Sequence, residues 1–72
     1  MALVWTDVTS SQLSKIGYDE ETQEAQVRFS NGSLYSYKSV PKEVVDGIVD
    51  AKSVGRAFNN SLKYGFEYTK LE

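Results

Sequence analysis

Apolar and polar positions alternate through the first half of the chain and recur at helical spacing in the second. Residues 24–29, Glu-Ala-Gln-Val-Arg-Phe, carry the period of two that marks a half-buried strand. Residues 13–18, led in by residues 8–12, read as the strand before it. Residues 34–38 read as the strand after it, and the polar run 19–23 as a turn. Trp5 and Val8 offer either a short edge strand or a cover for one end of the core.

Ser30-Asn31-Gly32-Ser33 predicts a hairpin, because Asn and Gly tolerate positive φ. Two registers compete. A two-residue Asn-Gly turn sets Phe29 opposite Leu34 and puts Tyr35 and Tyr37 on the polar face with Arg28 and Gln26. A three-residue loop with a bulge at Gly32 sets Val27 opposite Tyr35 and Ala25 opposite Tyr37. A slip of one residue moves every side chain to the other face. The bulged loop is favoured, because it leaves Ser36 and Lys38 outside and lays both tyrosine rings over the core, with their hydroxyls at the rim.

Val40-Pro41 opens a first helix, with Pro at the first helical position and Glu43 in the first turn. Val44, Val45, Ile48, Val49 and Ala51 form its buried face. Gly47 weakens this helix by about 1 kcal/mol relative to Ala and would permit close backbone packing. Ser53 is a candidate N-cap for a second helix running to about Tyr64, with Val54, Ala57, Phe58, Leu62 and, as an option, Tyr64 inward and Gly65 as C-cap. Residues 66–69 alternate again, as a short final strand or an extended tail. The expected fold class is α+β: a small antiparallel sheet of three strands, or four, followed by two helices packed on one face.

Seventy-two residues make one domain, 1–72, with a small core. Leu71-Glu72 fits a native end and a cloning scar equally. The chain has neither Cys nor His. That removes thiolate chemistry, the commonest general base and the usual metal ligands. No catalytic residue, metal site or cofactor is expected, and the chain is read as a non-enzyme. A formal net charge of −2 does not by itself predict a nucleic-acid binder. No stretch approaches the roughly 18–20 apolar residues of a membrane span, and the N-terminus does not read as a signal peptide, so the expected location is cytoplasmic.

The ordered residues also resemble a known family. Val8-x-Ser10-Ser11-x-Leu13-x-x-Ile16-Gly17-Tyr18-Asp19, Val27-x-Phe29 with Gly32, the central Tyr35-x-Tyr37, and Val40-Pro41 look like the KTSC domain. Ala51-x-Ser53-x-Gly55-x-x-Phe58-Asn59 and Leu62-Lys63-x-x-Phe66 continue the likeness. It covers about residues 8–66. Val45 stands where the family commonly has a bulky aromatic, and Phe66 near a frequent Tyr; both read as packing differences. The domain occurs at the C-terminus of some lysyl-tRNA synthetases and alone in bacteria and phages. What the resemblance implies is RNA binding by domain association, with no residue-level mechanism.

Two sets of residues could carry binding. Tyr35 and Tyr37 could stack bases, as sheet aromatics do in several RNA-binding modules. The plainer reading makes both core aromatics, in keeping with the favoured register. At about 100° per residue, Lys52, Arg56, Asn59 and Lys63 fall on one stripe, with Asn60 at its edge, suited to phosphate or another anion. The plainer reading is a solvated helix face. Glu43, Asp46 and Asp50 make an acidic stripe on the first helix. Opposed stripes would equally serve a homo-oligomer. Ser53 and Gly55 fall far short of a phosphate loop and read as capping and close packing. Ser10-Ser11 lacks any group to activate a hydroxyl, and Asp19-Glu20-Glu21 lacks the ligand spacing of a calcium loop.

The leading expectation is a small non-catalytic module for RNA or another polyanion. The alternatives are a protein–protein or self-association module, and sequestration of a small anionic ligand.

Overall fold

Five strands lie in chain order across one antiparallel sheet: β1 (Val4–Asp7), β2 (Leu13–Asp19), β3 (Glu24–Phe29), β4 (Leu34–Tyr37) and β5 (Tyr68–Lys70). Three short helices, α1 (Lys42–Val49), α2 (Val54–Asn60) and α3 (Leu62–Gly65), are inserted between β4 and β5. This computed structural model describes residues 3–72, and Lys63 and Tyr64 by their backbone alone. The α+β class holds, but the sheet has five strands rather than three or four. The two extra strands, β1 and β5, are edge strands with every residue exposed. The sequence offers both only as options, an edge strand at Trp5 and Val8 and a final strand at residues 66–69, because a strand with no buried face is weakly marked by a period of two.

The β3–β4 register is the bulged one. Ala25 pairs with Tyr37 and Val27 with Tyr35. The Phe29 carbonyl accepts the Gly32 N–H at 3.0 Å, and the Phe29 N–H reaches the Ser33 carbonyl at 2.8 Å. Gly32 stands at φ +95°, the left-handed conformation that this loop requires. A second irregularity lies in β2, where the register shifts between Leu13 and Lys15. Leu13 and Ile16 are three residues apart and would face opposite sides of a regular strand. The bulge at Ser14 lets both reach the core, each about 1% exposed.

One sheet face carries Leu13, Ile16, Tyr18, Ala25, Val27 and Tyr37, packed against Val45, Ile48, Val54, Phe58 and Leu62 from the helices. The buried Tyr18 hydroxyl donates to the Val40 carbonyl and ties β2 to the entrance of α1. Several local expectations change. Pro41 occupies the N-cap position of α1, not its first turn. Ser53 sits at the N-cap of α2 but its side chain makes no capping hydrogen bond. The expected second helix is interrupted at Ser61 (φ −118°, ψ −70°), and Gly65 lies inside α3 with Phe66 at its C-cap. Gly47 faces open space, so it serves no close packing.

Ser36, expected outside, is buried; its hydroxyl donates to Glu24 Oε2 at 2.6 Å. The reason is β5, which pairs Thr69 with Ser36 and makes β4 an interior strand. Leu71 and Glu72 belong to the fold. The Leu71 N–H donates to the Leu34 carbonyl, the Leu34 N–H donates to the Glu72 carbonyl, and Arg28 forms an ion pair with Glu72 at 2.8 Å.

Candidate functional site

The described helix residues leave part of the core-facing side of the sheet open. Among the described residues, Phe58 of α2 is the helical side chain that reaches the aromatics of β3 and β4. Beside it, rings from β3, β4 and β5 stand around an open hollow.

These rings form a closed circuit. Phe29 meets Tyr35 edge-on with centroids 5.4 Å apart, and Tyr35 lies tilted against Tyr68 at 5.6 Å. Tyr68 lies tilted against Tyr37 at 5.8 Å, Tyr37 meets Phe58 edge-on at 5.9 Å, and Phe58 meets Phe29 edge-on at 5.5 Å. Such pairs prefer edge-to-face or offset geometry because the ring face is negative and its edge positive. All five line a hollow of about 810 Å3, together with Ser11, Gln12, Ser30, Asn31, Ser33 and Asn59. Tyr37 (3% exposed) and Phe58 (2%) are its floor; Tyr68 (59%) is its open wall. Phe29 and Tyr35 are half-buried.

The two sequence-predicted tyrosines therefore differ. Tyr35 keeps part of its ring accessible. Tyr37 does not, so it is a core aromatic and not a stacking platform. Burial, with the neighbouring phenols of Tyr35 and Tyr68, pushes the Tyr37 phenol up to about 12.

A second, polar hollow of about 410 Å3 adjoins this one. Lys52, Ser53, Gly55, Arg56, Asn59 and Asn60 line one side, and Thr9, Ser10, Ser11 and Gln12 the other. A Cβ at Gly55 would lie 3.2 Å from Ser10 Oγ, so the small residue lets the β1–β2 loop approach α2. The basic stripe does not run along one helix: Lys52 precedes α2, and Lys63 belongs to α3 beyond the break at Ser61. Lys52, Arg56 and Asn59 nonetheless come together. The Lys63 side chain lies outside the described residues. Lys52 and Arg56 are exposed and have no ion-pair partner among the described residues, unlike Arg28 and Lys42, which pair with Glu72 and Glu20. Asn59 is half-buried, its side chain hydrogen-bonds no other described residue, and it lines both hollows.

The negative charge lies elsewhere. Burial, then the charges of Glu20, Glu43, Asp19 and Asp46, raise the Tyr18 phenol above its ordinary value. Of the expected acidic stripe, Glu43 and Asp46 thus gather with the β2–β3 turn, and Asp50 caps the C-terminal end of α1. Among the described residues no group of three or more acidic side chains is placed to hold a metal ion, and no helix is long and apolar enough to cross a membrane.

Sequence reasoning missed Phe29, Tyr68, Gln12 and Asn31 as site residues. The alternation at residues 66–69 was a signal for Tyr68, but nothing local says that this segment pairs with β4.

The KTSC domain model matches residues 9–66. An uncharacterized protein of Stutzerimonas stutzeri is 50% identical over 54 residues, covering 75% of this chain and 76% of that protein. A lysine–tRNA ligase of Nostoc punctiforme is 33% identical over 61 residues, which span 85% of this chain but 11% of the ligase. The crystal structure of a KTSC domain protein from Yersinia pestis is 30% identical with a TM-score of 0.90, covering 99% of this chain and 100% of that one. By sequence and by fold, the chain belongs to the KTSC domain family.

Proposed function

We propose that this protein is a non-catalytic binding module for RNA or a related polyanion, acting in the cytoplasm of a bacterium or in a phage-infected cell. The observation that carries the reading is the hollow where Lys52 and Arg56, without ion-pair partners among the described residues, flank Asn59. Exposed cations without internal partners are free to displace counterions from phosphates. Asn59 adds an amide at the same place; Lys63, the last residue of the expected stripe, follows on α3 with its side chain outside the described residues. Tyr35 supports the site from the adjoining hollow, with Tyr37 fixing the floor beneath it. The likeness to part of a lysine–tRNA ligase agrees with an RNA partner.

The test is a titration with mixed-sequence RNA at low salt. Binding should weaken as salt rises, and Lys52→Ala and Arg56→Ala should each flatten that dependence by about one charge. Absence of low-salt binding, or binding indifferent to both substitutions, rejects the reading.

A second reading is self-association, favoured by the separation of the acidic group around Tyr18 from the cations beside α2. Sedimentation at low and high salt distinguishes it: a monomer under both conditions rules it out. Saturation by a small phosphate ester as tight as by RNA would instead favour sequestration of a small anion.

A further inference from the structure

We infer that the aromatic hollow is the seat of one unpaired nucleobase, so that the protein recognises single-stranded nucleic acid. This rests on the reading above, since it assigns the half of the site that phosphates do not occupy.

Three observations point to that ligand. First, the circuit of five rings has a buried floor, Tyr37 and Phe58, and accessible ring surface at Phe29, Tyr35 and Tyr68. A planar ligand can therefore lie against ring faces without opening the core. Second, no charged side chain among the described residues lines this hollow. Its polar groups are hydroxyls and the amides of Gln12, Asn31 and Asn59. Asn31 Oδ1 accepts the Ser33 N–H at 3.0 Å, which leaves its amide nitrogen to donate outward. Asn59 has both ends of its amide without a partner among the described residues. Amides matched to a base edge read it by paired donor and acceptor. A phosphate or carboxylate gains nothing here; an uncharged, flat group with a polar edge does. Third, Ser11, Gln12 and Asn59 belong also to the cationic hollow of Lys52 and Arg56. A ligand spanning both is flat and neutral at one end and anionic at the other, which describes a nucleotide. In a duplex the base faces are stacked and its edges paired, so the base must be free.

The experiment follows backbone and side-chain amide resonances during titration with uncharged nucleosides and, separately, with inorganic polyphosphate. Nucleosides should shift Asn31, Tyr35, Asn59 and Tyr68 with little salt dependence. Polyphosphate should shift Lys52 and Arg56 and fade with salt. Tyr68→Ala should weaken nucleoside binding by roughly 5- to 150-fold, the scale of one lost stacking partner, and leave polyphosphate binding unchanged. Tyr68→Trp, which keeps a ring, should restore it, and spectral dispersion reports whether each variant is folded.

Nucleosides that produce no shifts at the hollow, while polyphosphate still binds, overturn this inference and leave the polyanion reading standing. Polyphosphate that fails while nucleosides bind does the reverse. Equal binding of N-acetyltryptophanamide, standing for an aromatic peptide side chain, overturns the assignment to a nucleobase.

Discussion

The Trp5 indole lies flat over Gly17 across the β1–β2 pair, so close that a Cβ at position 17 would stand 2.8–3.0 Å from three of its ring atoms. The contact is on the sheet face opposite the core and leaves Trp5 41% exposed. Gly17 is thus small because a ring occupies its missing side chain. Gly17→Ala should displace the indole and destabilise the domain by about 1–3 kcal/mol, as overpacking does. In a Trp5→Ala background the same change should be neutral or favourable, since Gly is otherwise a poor strand residue. Urea unfolding of the four proteins measures the coupling, and indole emission should shift to the red in Gly17→Ala.

Two other glycines should respond in opposite directions. Gly32 has open space around its missing Cβ, but φ +95° is a conformation that L side chains rarely adopt. Gly32→Ala should cost about 1 kcal/mol or more through backbone strain alone. Gly47 also faces open space, but inside helix α1. Gly47→Ala should raise stability by about 0.5–1 kcal/mol. Thermal melts of the two variants against the parent decide both.

The hydrogen bond from Tyr18 to the Val40 carbonyl joins the second strand to the start of α1. Tyr18→Phe keeps the ring and orphans a carbonyl in a residue that is fully buried. The expected loss is about 1–3 kcal/mol, large for a domain of this size. Chemical denaturation provides the measurement. A loss below the error of the fit would mean that the Val40 carbonyl is satisfied by water.

Stability should fall at both ends of the pH scale through identifiable groups. The Glu24 carboxylate accepts hydrogen bonds from Ser36 Oγ at 2.6 Å and Gln26 Nε2 at 2.8 Å. The Ser36 bond, then the Gln26 bond, hold its pKa below the usual carboxylate value, against burial, which raises it. A depressed folded-state pKa contributes stability above the unfolded value and loses it as pH falls through the folded one. Glu24→Gln should flatten the acid limb. Tyr37 has the opposite sign. Its contribution is complete below pH 10, its ordinary value, and is lost as pH rises toward about 12. Tyr37→Phe should flatten the alkaline limb. Denaturant midpoints measured across pH give both slopes.

The interior of this fold was legible because burial writes the pattern. β3 alternates cleanly, and the Asn31-Gly32 loop selects the register that brings Tyr35 and Tyr37 to the core side. Val45, Ile48, Val54 and Phe58 fall where helical spacing puts them. The edges were legible only as options, an edge strand at Trp5 and a final strand at residues 66–69, since neither Val4–Asp7 nor Tyr68–Lys70 has a buried face to mark. The bulge at Ser14 was hidden for another reason: a strand that needs Leu13 and Ile16 on one side must break its own period. The candidate site was half visible. Lys52, Arg56 and Asn59 do meet, though by the approach of the β1–β2 loop to α2 and not along one helix. The aromatic circuit depends on Tyr68 pairing with Tyr37 across the whole helical segment, and no local spacing reveals that pairing.

Strand order equal to chain order has a kinetic consequence. β1 to β4 pair through short connections, so their loops close at low entropic cost and their hairpins can form early. β5 pairs Tyr68 with Tyr37 only after residues 38–67 have folded back across the sheet. It is short, exposed and at an edge, the profile of a segment that opens first under native conditions. The wall that Tyr68 supplies is thus put in place by the last and loosest step of folding. Amide hydrogens of β5 should exchange faster than those of β2 and β3, and slow down when the hollow is occupied. A ligand there would act as the closing clasp of the sheet.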